Sequence, residues 1–212
     1  GNNISFADYT EESIFSPLLM DNSFWFLNNF TQSGTYHTIA TPSTYDGNFH
    51  SICEYGYPDY PSGLLRTSKD QLNHFFGMFI NNGTWNDIQI LQPETVELMS
   101  TIQPGLEKEG QAIIWYYKNQ HSRRLLGHSG GDYGAANDMF FNPQTQVGFI
   151  VLTNGDWNQK GFLKAITQIE NFLLDIFDPN GADNTILNNE NLPMVSTINY
   201  FNEINNLGSC NL

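Results

Sequence analysis

The spacing of apolar residues divides the chain into a helical first part and a strand-rich second part. Residues 67–82, TSKDQLNHFFGMFINN, carry the clearest helical period: Leu72, Phe75, Phe76, Phe79 and Ile80 fall on one stripe. Thr67 or Ser68 can cap the start, and Gly83 follows the end. A second short helix is predicted from Pro93 through PETVELMS, because proline suits a first helical position. Near the N-terminus, FADYTEESIF reads as a short helix that Pro17 ends. Residues 31–66 are rich in Gly, Pro, Tyr and Ser and are expected to form a long loop.

The period then changes from helical to alternating. QAIIWYYK (111–118), RRLLGHS (123–129), GAANDMFFN (134–142) and VGFIVLTN (147–154) read as four strands. Short connections imply antiparallel neighbours, and NPQT (142–145) has tight-turn chemistry. The run 147–153 is apolar on both faces, which suits a central strand covered on both sides. A long amphipathic helix follows, with Leu163, Ile166, Ile169, Leu173, Ile176 and Phe177 expected on its buried face. Asp178-Pro179-Asn180-Gly181 ends it. The fold class is therefore α/β in the mixed α+β sense, an antiparallel sheet flanked by helices. Residues 1–177 form the folded portion, and 178–212 form an Asn-rich tail too polar to build its own core.

Composition narrows the functional classes. The 22 acidic residues outnumber the 8 basic ones, giving a formal charge of −14. That balance argues against nucleic acid and anionic membrane as partners, since both need clustered cations. No apolar run approaches the roughly 18 residues of a membrane span. The chain opens on Gly1 with no visible signal peptide, as expected of a mature product or a fragment. Hydrophobic residues make up 40%, enough for a real core.

Cys53 and Cys210 lie too far apart in sequence for a metal or redox motif. They read either as a disulfide tying the tail to the body of an extracellular protein, or as two free thiols. Sequons at Asn3, Asn29 and Asn82 permit glycosylation, though an Asn-rich chain produces as many by chance. Together these features suggest an extracellular or secretory location. No metal is implied: His37, His50, His74, His121 and His128 lack close ligand spacing. His74 reads as an ordinary helix residue. Tyr45, Phe49, Tyr55, Tyr57 and Tyr60 could stack on sugars, so a carbohydrate- or peptide-binding module is one reading; loop packing is the plainer one.

The most chemical stretch is His128-Ser129-Gly130-Gly131, set between two strands. Glycines there let a ligand approach the backbone closely, and an exposed N–H can support a developing oxyanion. His128 and Ser129 could bind or polarise the ligand. A tight turn would leave the same trace.

The order of IFSPLLM, YPSGLLRTS and GHSGG resembles the C-terminal half of the serine β-lactamase and penicillin-binding-protein-like family, which includes D-alanyl-D-alanine carboxypeptidases and esterases. The resemblance runs over about residues 4–177. It implies a β-lactamase/transpeptidase-like fold and acyl transfer through a Ser-x-x-Lys nucleophile, a Tyr-x-Asn or Ser-x-Asn motif, and a third motif on a strand edge. His128-Ser129-Gly130 matches the third motif in its His-x-Gly variant, and the N–H of Gly131 falls where one oxyanion donor would be. No cofactor is implied. The sequence contains no Ser-x-x-Lys. Tyr117-Lys118-Asn119 and Tyr200-Phe201-Asn202 fit Tyr-x-Asn as strings, but both follow the region where the family places that motif.

The N-terminal part of the fold is thus expected to lie outside this chain. Exposing several hundred Å² of apolar surface would cost on the order of 10 kcal/mol, at roughly 25 cal/mol per Å². That rivals a domain's whole stability. The expected partner is the N-terminal half of the same precursor or a neighbouring subunit, in a homo-oligomer or higher assembly. Two functions follow: the C-terminal part of a secreted serine hydrolase that is inactive alone, or a non-catalytic assembly protein on the same fold.

Overall fold

The computed structural model describes residues 4–108, 110–156, 162–183 and 185. In chain order the elements are helix α1 (Phe6–Thr10), which continues as a π-helical turn (Glu11–Phe15), α2 (Leu27–Ser33), strands β1 (Ser43–Tyr45) and β2 (Phe49–Ser51), α3 (Lys69–Ile80), β3 (Thr84–Trp85), β4 (Ile88–Gln89), α4 (Pro93–Ser100), β5 (Tyr116–Gln120), β6 (Arg123–Asp132), β7 (Ala135–Asn142), β8 (Val147–Thr153) and α5 (Phe162–Phe177). The chain divides into two compact units, Gly1–Ile39 with Gly56–Thr101, and Ala40–Tyr55 with Ile102–Leu212.

The first unit is mainly helical. Ser5 caps α1 by accepting the Asp8 amide at 3.1 Å, and Ser68 caps α3 by accepting that of Gln71 at 3.3 Å. The core gathers Phe15, Leu18, Met20 and Met78, with Trp25, Phe75 and Trp85 packed against it. Gly77 lies where a Cβ would strike the Trp85 ring, so its lack of a side chain admits the indole. His74 accordingly has a packing role: Nδ1 bonds the Leu18 carbonyl at 2.8 Å and the ring stacks on Trp85.

The second unit is built on the antiparallel sheet β5-β6-β7-β8, with α5 packed on one face. Its core is Leu125, Phe140, Phe149 and Leu174. The 142–145 turn forms as the sequence suggests: the Asn142 carbonyl accepts the Gln146 amide at 2.8 Å, and its side chain accepts that of Gln144. A small hairpin, β1–β2, attaches beyond the end of β8 through the Ser43 amide and the Asn154 carbonyl at 2.9 Å. At Gly134, φ is +75° and a Cβ would meet Pro42 and Ile52, so only glycine turns the chain there.

Several expectations need correction. Residues 31–66 are not one loop: α2 runs into their start and the β1–β2 hairpin lies within them. The first sheet strand begins at Tyr116 rather than Gln111, because Ile114 adopts φ 68° and breaks the extended run. Strand β8 ends the sheet rather than lying centrally. Apolar residues on both faces report what the strand can be covered by, not its place in the order.

The buried face of α5 is also rotated from the expected stripe. Ile166, Glu170 and Leu174 are buried, whereas Leu163, Ile169, Ile176 and Phe177 are exposed, together with Phe172. A glutamate sits at the centre of the covered face, where periodicity would place an apolar residue. No helix among the described residues is long and apolar enough to cross a membrane.

Candidate functional site

The His128 motif lies in the upper half of β6. Arg123–Gly127 pair with β5, and Leu126 and Gly127 also pair with β7, but β5 starts at Tyr116, opposite Gly127, so β6 runs on past that neighbour. Gly127 is demanded by packing, since a Cβ there would collide with the Met139 carbonyl and Phe140. Gly130 is different: a Cβ would meet nothing within 4 Å. Among the described residues no packing contact calls for glycine there, which leaves room for a ligand against the backbone.

Alternation along the strand separates the motif's side chains. His128 and Gly130 share one face and both are exposed. Ser129 points to the other face, where its Oγ shares a 2.7 Å hydrogen bond with the Tyr116 hydroxyl. The Tyr116 ring also meets His128 edge-on, with centroids 5.6 Å apart. Burial pushes the Tyr116 phenol up to about 12, against the opposing pull of its Ser129 bond. Tyr116 thus keeps its proton and fixes the strand edge from below. Sequence reading overlooked it; the only trace is its alternating place in WYYK.

The sheet brings His128, Ser129, Gly130 and Gly131 together because they are consecutive, and Gly131 lies opposite Ala136. The Tyr117-Lys118-Asn119 string is divided between faces of β5. Arg124 covers the Tyr117 ring at 4.8 Å, while Lys118 turns to the α5 side. Tyr200-Phe201-Asn202 lies outside the described residues. Tyr45 and Phe49 pair on the hairpin, Tyr55 donates to the Tyr133 carbonyl, and Tyr60 packs with Phe6, Trp25 and Phe26.

Cys53 is disulfide-bonded, and Cys210 lies outside the described residues. Of the sequons, Asn82 is exposed in the turn after α3, in a left-handed conformation that asparagine tolerates. Asn29 is half-buried in α2, and Asn3 lies outside the described residues.

A family model described as Beta-lactamase matches residues 4–172. The chain belongs to the β-lactamase family. Solved structures show the same fold at low identity. The octameric penicillin-binding protein homologue from Pyrococcus abyssi aligns at TM-score 0.61 and 22% identity, over 82% of this chain and 37% of its own. D-amino acid amidase from Ochrobactrum anthropi aligns at TM-score 0.61 and 15% identity, over 80% and 50%. Simvastatin synthase from Aspergillus terreus aligns at 0.59 and 14%, over 82% and 50%. The β-lactamase-family chain therefore spans half or less of these proteins. No curated protein matches it.

Proposed function

We propose that this chain is the C-terminal part of an extracellular serine acyl-transfer enzyme of the β-lactamase and penicillin-binding-protein kind, inactive alone. The observation that carries the reading is the form of upper β6: an exposed His128 and an open Gly130 on a strand that continues past its neighbour. A substrate carbonyl lying along this edge would place its developing oxyanion at the Gly131 N–H. His128 would orient or polarise the substrate from the same face as Gly130. The nucleophile would come from outside this sequence, which has no Ser-x-x-Lys.

The partner is then the N-terminal half of the same precursor, or a neighbouring subunit. Support comes from the surface beside β8. Ile169, Phe172 and Ile176 expose an apolar flank of α5, and a groove of about 210 Å³ runs between β8 and α5 past Val147, Ile150 and Phe177. Exposed apolar surface next to a terminal strand favours association. The disulfide at Cys53 favours an oxidising compartment.

Coexpression with a candidate N-terminal half, followed by a fluorophosphonate or penicillin probe, tests the reading. Labelling of the partner's serine in the complex is expected, reduced by His128→Ala with the complex intact. A stable complex that no probe labels would overturn catalysis and favour the non-catalytic assembly protein.

A further inference from the structure

Behind the His128 edge, between the sheet and α5, two carboxyl groups and one ammonium are buried together. The side chains of Lys118, Asp138 and Glu170 are 18%, 7% and 2% exposed. Lys118 Nζ stands 3.9 Å from Asp138 Oδ2 and 3.6 Å from Glu170 Oε2, and lies 3.7 Å over the Phe140 ring. Gln120 Nε2 donates to Glu170 Oε2 at 2.9 Å and also to Asn171 Oδ1. One oxygen of each carboxyl, Asp138 Oδ1 and Glu170 Oε1, is buried with no hydrogen-bond partner among the described residues.

Two carboxylates against one ammonium would leave this enclosed cluster with a net negative charge, which low-dielectric surroundings resist. Two acceptors facing burial without donors are each costly as well. One proton answers both problems at once. We propose that Asp138 and Glu170 share a single proton between Oδ1 and Oε1, and that this proton clamps α5 to the sheet behind the His128 edge.

The surroundings favour this assignment. Burial, and next the bond to Asp138, push Glu170 up to about 8, although Lys118 and Gln120 pull the other way. Among the described residues, the other charged or titratable groups at the cluster are on β5: Lys118 itself and Tyr116, which keeps its proton to about 12. Ser129 of β6 lies opposite Asp138 in register, and β8 contributes the apolar Phe149 and Val151. The facing residues of α5 are the neutral Ile166, Asn171, Leu173 and Leu174. Within this set, Glu170 is the group pushed toward the neutral range.

The sign of the pH effect follows. The folded chain holds a proton that the unfolded chain releases above about 4.5, the ordinary glutamate value. Stability from this pair is therefore retained below that value and declines as pH rises through about 8. Infrared titration of the full chain tests it directly. A carbonyl stretch from one buried carboxylic acid is expected near neutral pH, when surface carboxylates are ionised, with loss of the band on alkalinisation. Glu170→Gln should abolish the band, and its amide can still donate to Asp138. The fall in Tm from about pH 6 to 9 should be lost in the same variant. A wild-type chain with no protonated carboxyl band, or a variant with an unchanged Tm slope, would overturn the proposal. If Glu170→Gln does not fold, the wild-type band alone decides.

Discussion

The two halves of β6 face opposite demands. The lower half, Arg123–Gly127, is paired along its length with β5; the upper half, His128–Asp132, pairs with β7 and runs past the end of β5. Below, Arg123 is 2% exposed and fully engaged: Nε donates to Asp178 Oδ2 at 3.1 Å, while Nη1 and Nη2 reach the carbonyls of His121, Leu174 and Asp178. Asn142 donates to the same Asp178 carboxylate at 2.9 Å. Above, His128, Gly130 and Gly131 are exposed. One strand thus combines an anchor with an edge, and the first allows the second. A strand held this firmly at one end can present an exposed, glycine-rich segment at the other without coming away.

The sharpest way to break that contrast is at the anchor. Arg123→Met should cost about 3–5 kcal/mol, because it strands the buried Asp178 carboxylate without its cation. Denaturant unfolding should show the loss as a lower midpoint. Gly127→Ala comes next, at about 1–3 kcal/mol, since the new methyl meets the Met139 backbone and Phe140 rather than a yielding side-chain tip. The same measurement on Gly130→Ala should move stability by no more than about 0.5 kcal/mol, as its Cβ enters open space. Equal effects at the two glycines would refute the contrast.

Between these extremes stands Tyr116→Phe, which removes the hydroxyl bonded to Ser129. A loss of about 1 kcal/mol is expected. In a reconstituted complex it should also slow probe labelling, with partner affinity unchanged. A small effect is also expected of His121→Ala. Its 2.7 Å bond to Asp175 is exposed, so a change of less than about 1 kcal/mol is expected, diminished further by salt.

Much of this framework was legible before any coordinates. Thr67 or Ser68 and Pro93 marked the starts of α3 and α4, Ser68 being the cap that forms, and the change of period marked β6, β7 and β8. These signals are local: a cap satisfies amides within one turn, and a period shows which face can be buried. The errors arose where the deciding contact was distant. The β1–β2 hairpin attaches at Asn154, more than a hundred residues on. Ile114 breaks the start of the predicted strand through a backbone conformation that β-branched residues seldom adopt. The covered face of α5 departs from its apolar stripe because Glu170 is buried on it, where Lys118 and Asp138 meet it from the sheet.

The candidate site shows the same division. The sequence marked His128, Ser129, Gly130 and Gly131 because the motif is continuous, and the order of its companion segments pointed to the β-lactamase family. It could not reveal Tyr116, whose bond to Ser129 depends on the pairing register of β5 with β6. Nor could it distinguish Gly127 from Gly130.

By itself, then, the sequence determined the main helices and the sheet strands β6, β7 and β8, the family and the location of the His128 motif on a strand, since each is written in local order and spacing. Only the tertiary structure decided which glycine is packed and which is open, which face of α5 is covered, and that two carboxyl groups meet beneath the edge. Those outcomes turn on register and on distances between residues remote in sequence, which no local pattern encodes.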